Sequence, residues 1–177
     1  SIEWAGKKGV PLNILQLHGA HFTSVKDLRD QLECGVNVQD FTLTVDYLYG
    51  GLATTSFGIM CCEGEIDIVR AFLERTQTGI NDVCGYYGFH AIHLVAHGGH
   101  VNVMRILVEE YNVNTNVKTE SDMTPLMYAV ANCHLPMVTY LVDHGADINA
   151  MTKHNRSALS YASDAIIIEY LMSLYAF

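Results

Sequence analysis

Apolar residues in this chain gather in short blocks that return at an almost constant interval. Thr55-Ser56-Phe57-Gly58-Ile59-Met60-Cys61, His90-Ala91-Ile92-His93-Leu94-Val95-Ala96, Thr124-Pro125-Leu126-Met127-Tyr128-Ala129 and Ser157-Ala158-Leu159-Ser160-Tyr161-Ala162 begin 35, 34 and 33 residues apart. Intervals of roughly 33 to 34 residues belong to helical solenoids, whose units bury their apolar faces against one another. Within the intervals, Val101-Asn102-Val103-Met104-Arg105-Ile106-Leu107-Val108 and Leu135-Pro136-Met137-Val138-Thr139-Tyr140-Leu141-Val142 place apolar residues at helical spacing. Pro136 falls in the first turn, where its missing N–H costs nothing, and Gly145 supplies the left-handed residue that stops a helix. Each unit therefore reads as a short apolar helix, a break, a second amphipathic helix and a polar connector.

These residues resemble the ankyrin repeat family, with its T-P-L-H-x-A motif, a G-H pair before the second helix and a G-A-D-V-N-A connector. Residues 119–152 match most fully, keeping Thr124, Pro125, Leu126, Ala129, His134, Leu141, Gly145, Ala146, Asp147, Asn149 and Ala150. Residues 85–118 keep Gly88, Ile92, His93, Ala96, Gly99, His100 and Leu107 but carry His90-Ala91 in place of Thr-Pro. The resemblance implies an all-α solenoid of stacked helix-turn-helix units joined by β-turn or hairpin connectors. Repeats are assigned to 55–84, 85–118 and 119–151, with a C-terminal capping half-repeat at 152–177.

The flanks depart from the pattern. Val10-Pro11-Leu12-Asn13-Ile14-Leu15 and a second segment from Ser24 read as a degenerate first repeat over 9–39, the alternative being an unrelated helical cap. Residues 40–54 are an insertion in which Phe41, Leu43, Val45, Tyr47 and Tyr49 alternate with Thr42, Thr44, Asp46 and Leu48 before Gly50-Gly51. That period of two predicts a hairpin finger or an extended arm, either docking a partner or covering the decayed repeat. After Ala162 no G-H pair precedes the shortened helix that begins at Asp164. Ser1 is not an initiator Met, so a fragment of a larger protein is one reading.

The apolar fraction of 50% suffices for a core, and a formal charge of −9 argues against nucleic-acid or anionic-membrane partners, as no Lys/Arg cluster is present. Cys34, Cys61, Cys62, Cys84 and Cys133 lack metal or redox spacing, and Cys61 and Cys133 read as small core fillers. With no secretory signal and no membrane-length apolar run, the cytoplasm or nucleus is expected. His90, His93, His97 and His100 share spacings found in zinc sites. Gly98-Gly99 interrupts their helix, however, and the resemblance gives His93 and His100 structural roles, so no metal and no cofactor are expected. No G-x-S-x-G, phosphate loop or H-E-x-x-H is present, and the reading is non-catalytic.

A protein-interaction scaffold is what the resemblance implies, with a partner protein or peptide held on the concave face and the chain monomeric when alone. The positions it points to are Tyr86, Tyr87, Phe89 and His97 in one copy and Glu120, Ser121, Met123, Ala131 and Asn132 in the next. Lys153, His154 and Arg156 follow in the last connector, with Thr54, Cys62 and Glu63 in the first copy; the alternating insertion adds Tyr47 and Tyr49. Tyr86, Tyr87 and Phe89 stand out because aromatics on a polar connector favour interfaces, unless they pack on neighbouring tips. The resemblance also marks Asn149 as a candidate for hydroxylation. Two other readings stay open: a regulatory or spacer domain of a larger enzyme or channel, and a host-directed bacterial or viral adaptor.

Overall fold

The computed structural model describes residues 56–76, 80–81, 83–84 and 86–174, together with six two-residue strands ahead of them. Among the described residues, seven helices follow the expected order. They are α1 (Ser56–Glu63), α2 (Ile66–Thr76), α3 (Ala91–Gly98), α4 (Val101–Arg105), α5 (Pro125–Ala131), α6 (Leu135–Asp143) and α7 (Ala165–Leu174). A single 3-10 turn, Ala158–Tyr161, takes the place of the last first-layer helix. In one layer α1 packs on α3, α3 on α5 and α5 on that turn; in the other α2 packs on α4, α4 on α6 and α6 on α7. The result is the all-α solenoid the interval predicts.

Buried side chains recur with the repeat. Ile92, Leu94, Val95 and Ala96 of α3 and Leu126, Met127, Ala129 and Val130 of α5 are enclosed between neighbouring units, as are Met104, Leu107, Met137 and Leu141 of the second layer. Burial of such chains stabilises each by about 1.5–3 kcal/mol, and no unit achieves it alone. Thr124 caps α5 by accepting a hydrogen bond from Met127 N at 3.4 Å, with Pro125 at the first helical position.

The break between paired helices is built by one device. Gly64 and Gly99 adopt left-handed backbone (φ 75° and 76°), and the imidazole of the following repeat lies over each. His100 Nε2 donates to the Cys62 carbonyl at 2.8 Å, and His134 Nε2 donates to the His97 carbonyl at 3.0 Å. A Cβ on either glycine would run into the histidine ring. Cys133 holds the third such position, also left-handed (φ 58°), and its Sγ lies 3.3 Å from Ser163 Oγ. The cap has no histidine at the place that His134 holds over Gly99, and the Cys133 side chain is exposed there. The expectation that Cys133 fills the core is therefore wrong: it is exposed, whereas Cys61 and Cys62 are buried.

Repeat length also has a local cause. From His100 to the left-handed Asn112 the chain runs one residue longer than from His134 to the left-handed Gly145. The extra residue is absorbed by a π-helical turn, Ile106–Glu110, that continues α4. Downstream, Asn116 ties two connectors together, donating from Nδ2 to the Gly145 carbonyl (2.9 Å) and accepting from Asp147 N at Oδ1 (2.7 Å).

Ahead of the repeats, Trp4–Ala5 pairs with Val10–Pro11, Gln16–Leu17 with Ala20–His21 and Leu48–Tyr49 with Leu52–Ala53, each pair antiparallel. Val10–Pro11 is thus strand where a decayed helix was expected; Pro11 locks φ and lacks a donor, which an edge strand tolerates. The second helix expected from Ser24 and the alternating segment from Phe41 to Tyr47 lie outside the described residues.

Two substitution pairs test this account. Gly99→Ala should lower unfolding free energy in urea by about 2 kcal/mol or more, from left-handed strain plus the clash with His134, whereas Cys133→Gly should change it by less than about 1 kcal/mol. Equal effects at the two sites would contradict the device. Asn116→Ala should cost about 1–2 kcal/mol and Asn149→Ala, its exposed counterpart one repeat later, less than about 0.5 kcal/mol.

Candidate binding surface

The connectors end in tight hairpins with one shared geometry. Thr119 N donates to Met123 O (3.0 Å), Asp122 N to Thr119 O (2.9 Å) and Met123 N to Thr119 Oγ1 (3.2 Å). One repeat later Thr152 N donates to Arg156 O (3.0 Å), Asn155 N to Thr152 O (2.9 Å) and Arg156 N to Thr152 Oγ1 (3.2 Å). Both threonines are buried, so each tip is anchored from beneath. The left-handed position two residues before each of the last three first-layer blocks is Gly88, Asp122 or Asn155, residue types that tolerate it.

Backbone bonds join the tips in register. Glu120 N donates to the Tyr87 carbonyl at 2.9 Å, and Lys153 N donates to the Ser121 carbonyl at 3.2 Å. Tyr87, Ser121 and His154 thereby occupy equivalent places in three consecutive tips, as do Tyr86, Glu120 and Lys153. Tyr87, Glu120, Ser121, Lys153, His154 and Arg156 are all exposed, and Arg156 lies over the Tyr161 ring at 5.5 Å.

Tyr87 is the outlier of the row. It is 63% exposed and left-handed (φ 61°), a conformation uncommon for a bulky residue, and it sits beside Gly88, which is left-handed too. Strain of this kind persists only where the surroundings enforce it, and it concentrates at functional positions.

Other expected positions lie elsewhere. Phe89, expected on the surface, is 4% exposed and belongs to the core: its ring packs 5.2 Å from Tyr128 of the next repeat and 6.0 Å from His93. Cys62 is buried as well, with its Sγ 4.0 Å from His97 Nδ1. Asn132 uses its side-chain amide to donate to Tyr128 O at 2.9 Å, closing the end of α5, while Ala131 is exposed beside it. His97, Met123 and Glu63 are half-buried. The Tyr86 and Tyr49 side chains, Tyr47 and Thr54 lie outside the described residues. Asn149 is exposed, and its backbone N donates to Asp147 Oδ1 at 2.9 Å. Val83 and Met151 are exposed apolar residues on the same connectors that the motif did not flag, as is Lys118 among the charged ones.

Two members of the histidine constellation, His93 and His100, hydrogen-bond backbone as the family pattern implies. His93 is buried, accepting from His90 N at Nδ1 (3.0 Å) and donating from Nε2 to the Val117 carbonyl (3.0 Å). It is therefore the neutral tautomer, and burial pushes its pKa down to about 4. Among the described residues, no group of three or more His, Cys, Asp or Glu could hold a metal ion, and no helix is long and apolar enough to cross a membrane.

The family model for ankyrin repeats in three copies matches residues 57–152 and 111–176. The chain belongs to the ankyrin repeat family. It is 36% identical over 103 residues to ankyrin repeat domain-containing protein 53 of Macaca fascicularis, an overlap of 56% of this chain and 20% of that protein. Over 122 residues it is 30% identical to the B-cell lymphoma 3 protein homolog of Mus musculus, covering 68% of this chain and 27% of that protein. Alpha-latrotoxin-Lh1a of Latrodectus hasselti is 36% identical over 98 residues, 55% of this chain and 7% of the toxin. The chain thus spans about a quarter or less of the length of these relatives.

A pH dependence follows from His93. An unfolded chain protonates this ring near the ordinary value of about 6.5, whereas the folded one resists until about 4. Its contribution to stability is complete above pH ~6.5 and is lost as the pH falls towards 4, up to about 3 kcal/mol in all. Urea unfolding should therefore give a steeper fall in stability between pH 6.5 and 4.5 for the wild-type chain than for His93→Gln, which should be the less stable of the two at pH 7.5. Parallel pH profiles would exclude His93 as the cause.

Proposed function

We propose that this chain is a non-catalytic interaction module that holds a partner protein or peptide along its row of connector tips and the adjoining concave face. Ankyrin repeats generally mediate protein–protein interaction, and their homologues are generally binding domains without catalysis. One observation carries the reading onto particular residues: exposed side chains on three consecutive tips are aligned by the backbone bonds from Glu120 to Tyr87 and from Lys153 to Ser121. A pre-aligned surface of this kind binds without first ordering its own backbone, which is a principal cost of association. Tyr87 is the anchor of the row, an exposed aromatic held rigidly in a conformation that disfavours it.

The cytoplasm or nucleus, a monomeric state in isolation and the absence of cofactors remain part of this reading, supported by the unpaired spacing of the cysteines and by the acidic charge of −9. Hydroxylation of Asn149 fits its exposure.

Tyr87→Gly separates binding from folding. It removes the ring while relieving about 1 kcal/mol of left-handed strain, so the melting temperature should hold or rise slightly. In quantitative affinity capture from cell extract, the proteins enriched by the wild-type chain should fall at least about tenfold with this variant. Unchanged enrichment would remove the tips from the binding surface, and a lowered melting temperature would make Tyr87 a structural residue.

A further inference from the structure

The tip row is graded in chemistry from one end to the other. At its first tip it presents Tyr87, with exposed Val83 on the same connector; the middle tip presents Glu120 and Ser121, with exposed Lys118 on its connector; the last presents Lys153, His154 and Arg156, with exposed Met151 beside them. This distribution contrasts with the rest of an acidic chain of net charge −9. Arg70 is bound bidentately by Glu110 at 2.8 Å, and Arg105 lies over the Tyr140 ring beside Glu109. Lys153 and Arg156 make no ion pair among the described residues, and Arg156 is held in place by the Tyr161 face beneath it. Among the described residues, the last tip thus carries two cations without an ion pair, whereas the middle connector carries one, Lys118, two residues from the acidic Glu120.

We infer that the partner segment is an extended, acidic peptide, with an apolar side chain against Tyr87 at one end and a carboxylate pair against Lys153 and Arg156 at the other. The inference rests on the function proposed above and specifies its partner. Packed helices lie about 8–10 Å apart, so two repeat steps span about 20 Å, or about six residues of extended chain. The carboxylates complement the cations of the last tip, whereas at the centre the charges of Lys118 and Glu120 offset one another. The segment is thus acidic at one end and neutral in the middle. Exposed pairs of this kind contribute modestly to affinity and more to selectivity and orientation.

The test uses the full chain and labelled peptides of about ten residues, each carrying one Trp and one Asp-Asp pair at separations from about two to eight residues. Matched sets replace Asp-Asp by Asn-Asn or Lys-Lys, and binding is read by fluorescence polarisation at low and high salt. The Asp-Asp set should bind at least about tenfold tighter than the others at a separation near six, with the advantage shrinking as salt rises. In the chain carrying Lys153→Glu and Arg156→Glu, preference should switch to the Lys-Lys set. Lys153→Glu alone should weaken the preference without moving the melting temperature, which guards against misfolding of the double variant. Equal binding of the three sets, or an unchanged preference in the charge-reversed chain, would overturn the inference. If those peptides still lost affinity with Tyr87→Gly, the proposed function would stand with a partner of different charge. Absence of binding by every set, with Tyr87-dependent capture retained, would reject an acidic peptide and leave a folded protein surface as the partner.

Discussion

The structure depends on one contact repeated along the axis: a histidine ring of one unit lying over the glycine of the unit before it and donating to a carbonyl there. His100 over Gly64 and His134 over Gly99 set the distance and register at which neighbouring helices close. Neither partner acts alone, because the ring needs the absent Cβ and the carbonyl needs a donor. Burial of Ile92, Leu126, Met104 and Met137 follows from that register and supplies most of the stabilisation. Where the histidine is lacking, after Ala162, the glycine is lacking too, and Cys133 stands in its place.

The same register carries through the connectors to the tips. Asn116 clamps the turn at Gly145, and the backbone bonds from Glu120 to Tyr87 and from Lys153 to Ser121 pass the alignment outward. A surface far from the core thereby inherits the precision of helix packing. Its side chains stay free to vary because their backbones are held by Thr119 and Thr152 beneath them. Interior and rim therefore divide the labour: the repeated residues hold the frame, and the variable ones present the chemistry.

Much of this frame was legible in the sequence because it arises from local rules. Thr124 and Pro125 start a helix, Gly145 stops one, and the near-constant interval identifies stacked units. Phe89 departs from its expected exposure because its environment is non-local: Tyr128 of the following repeat covers it. A signal was present, since Phe89 and Met123 occupy the same place in successive tips and both are apolar, as expected of an inward position. Cys133 departs for the opposite reason, a missing neighbour rather than an added one. The one-residue excess between His100 and Asn112 was visible as a change of interval, but only the structure shows that a π-helical turn absorbs it. Alignment of the tips depends on backbone bonds between repeats, which no single-repeat motif encodes.

The central claim is that the tips, rather than the outer helical layer, form the binding surface. Amide hydrogen exchange of the full chain, with and without a ligand recovered by affinity capture, tests it most directly. The account expects slowed exchange at residues 86–89, 119–123 and 152–157, with α2, α4 and α6 unchanged. Protection confined to the outer layer around Arg70, Glu110 and Tyr140, with the tips exchanging as before, would contradict it.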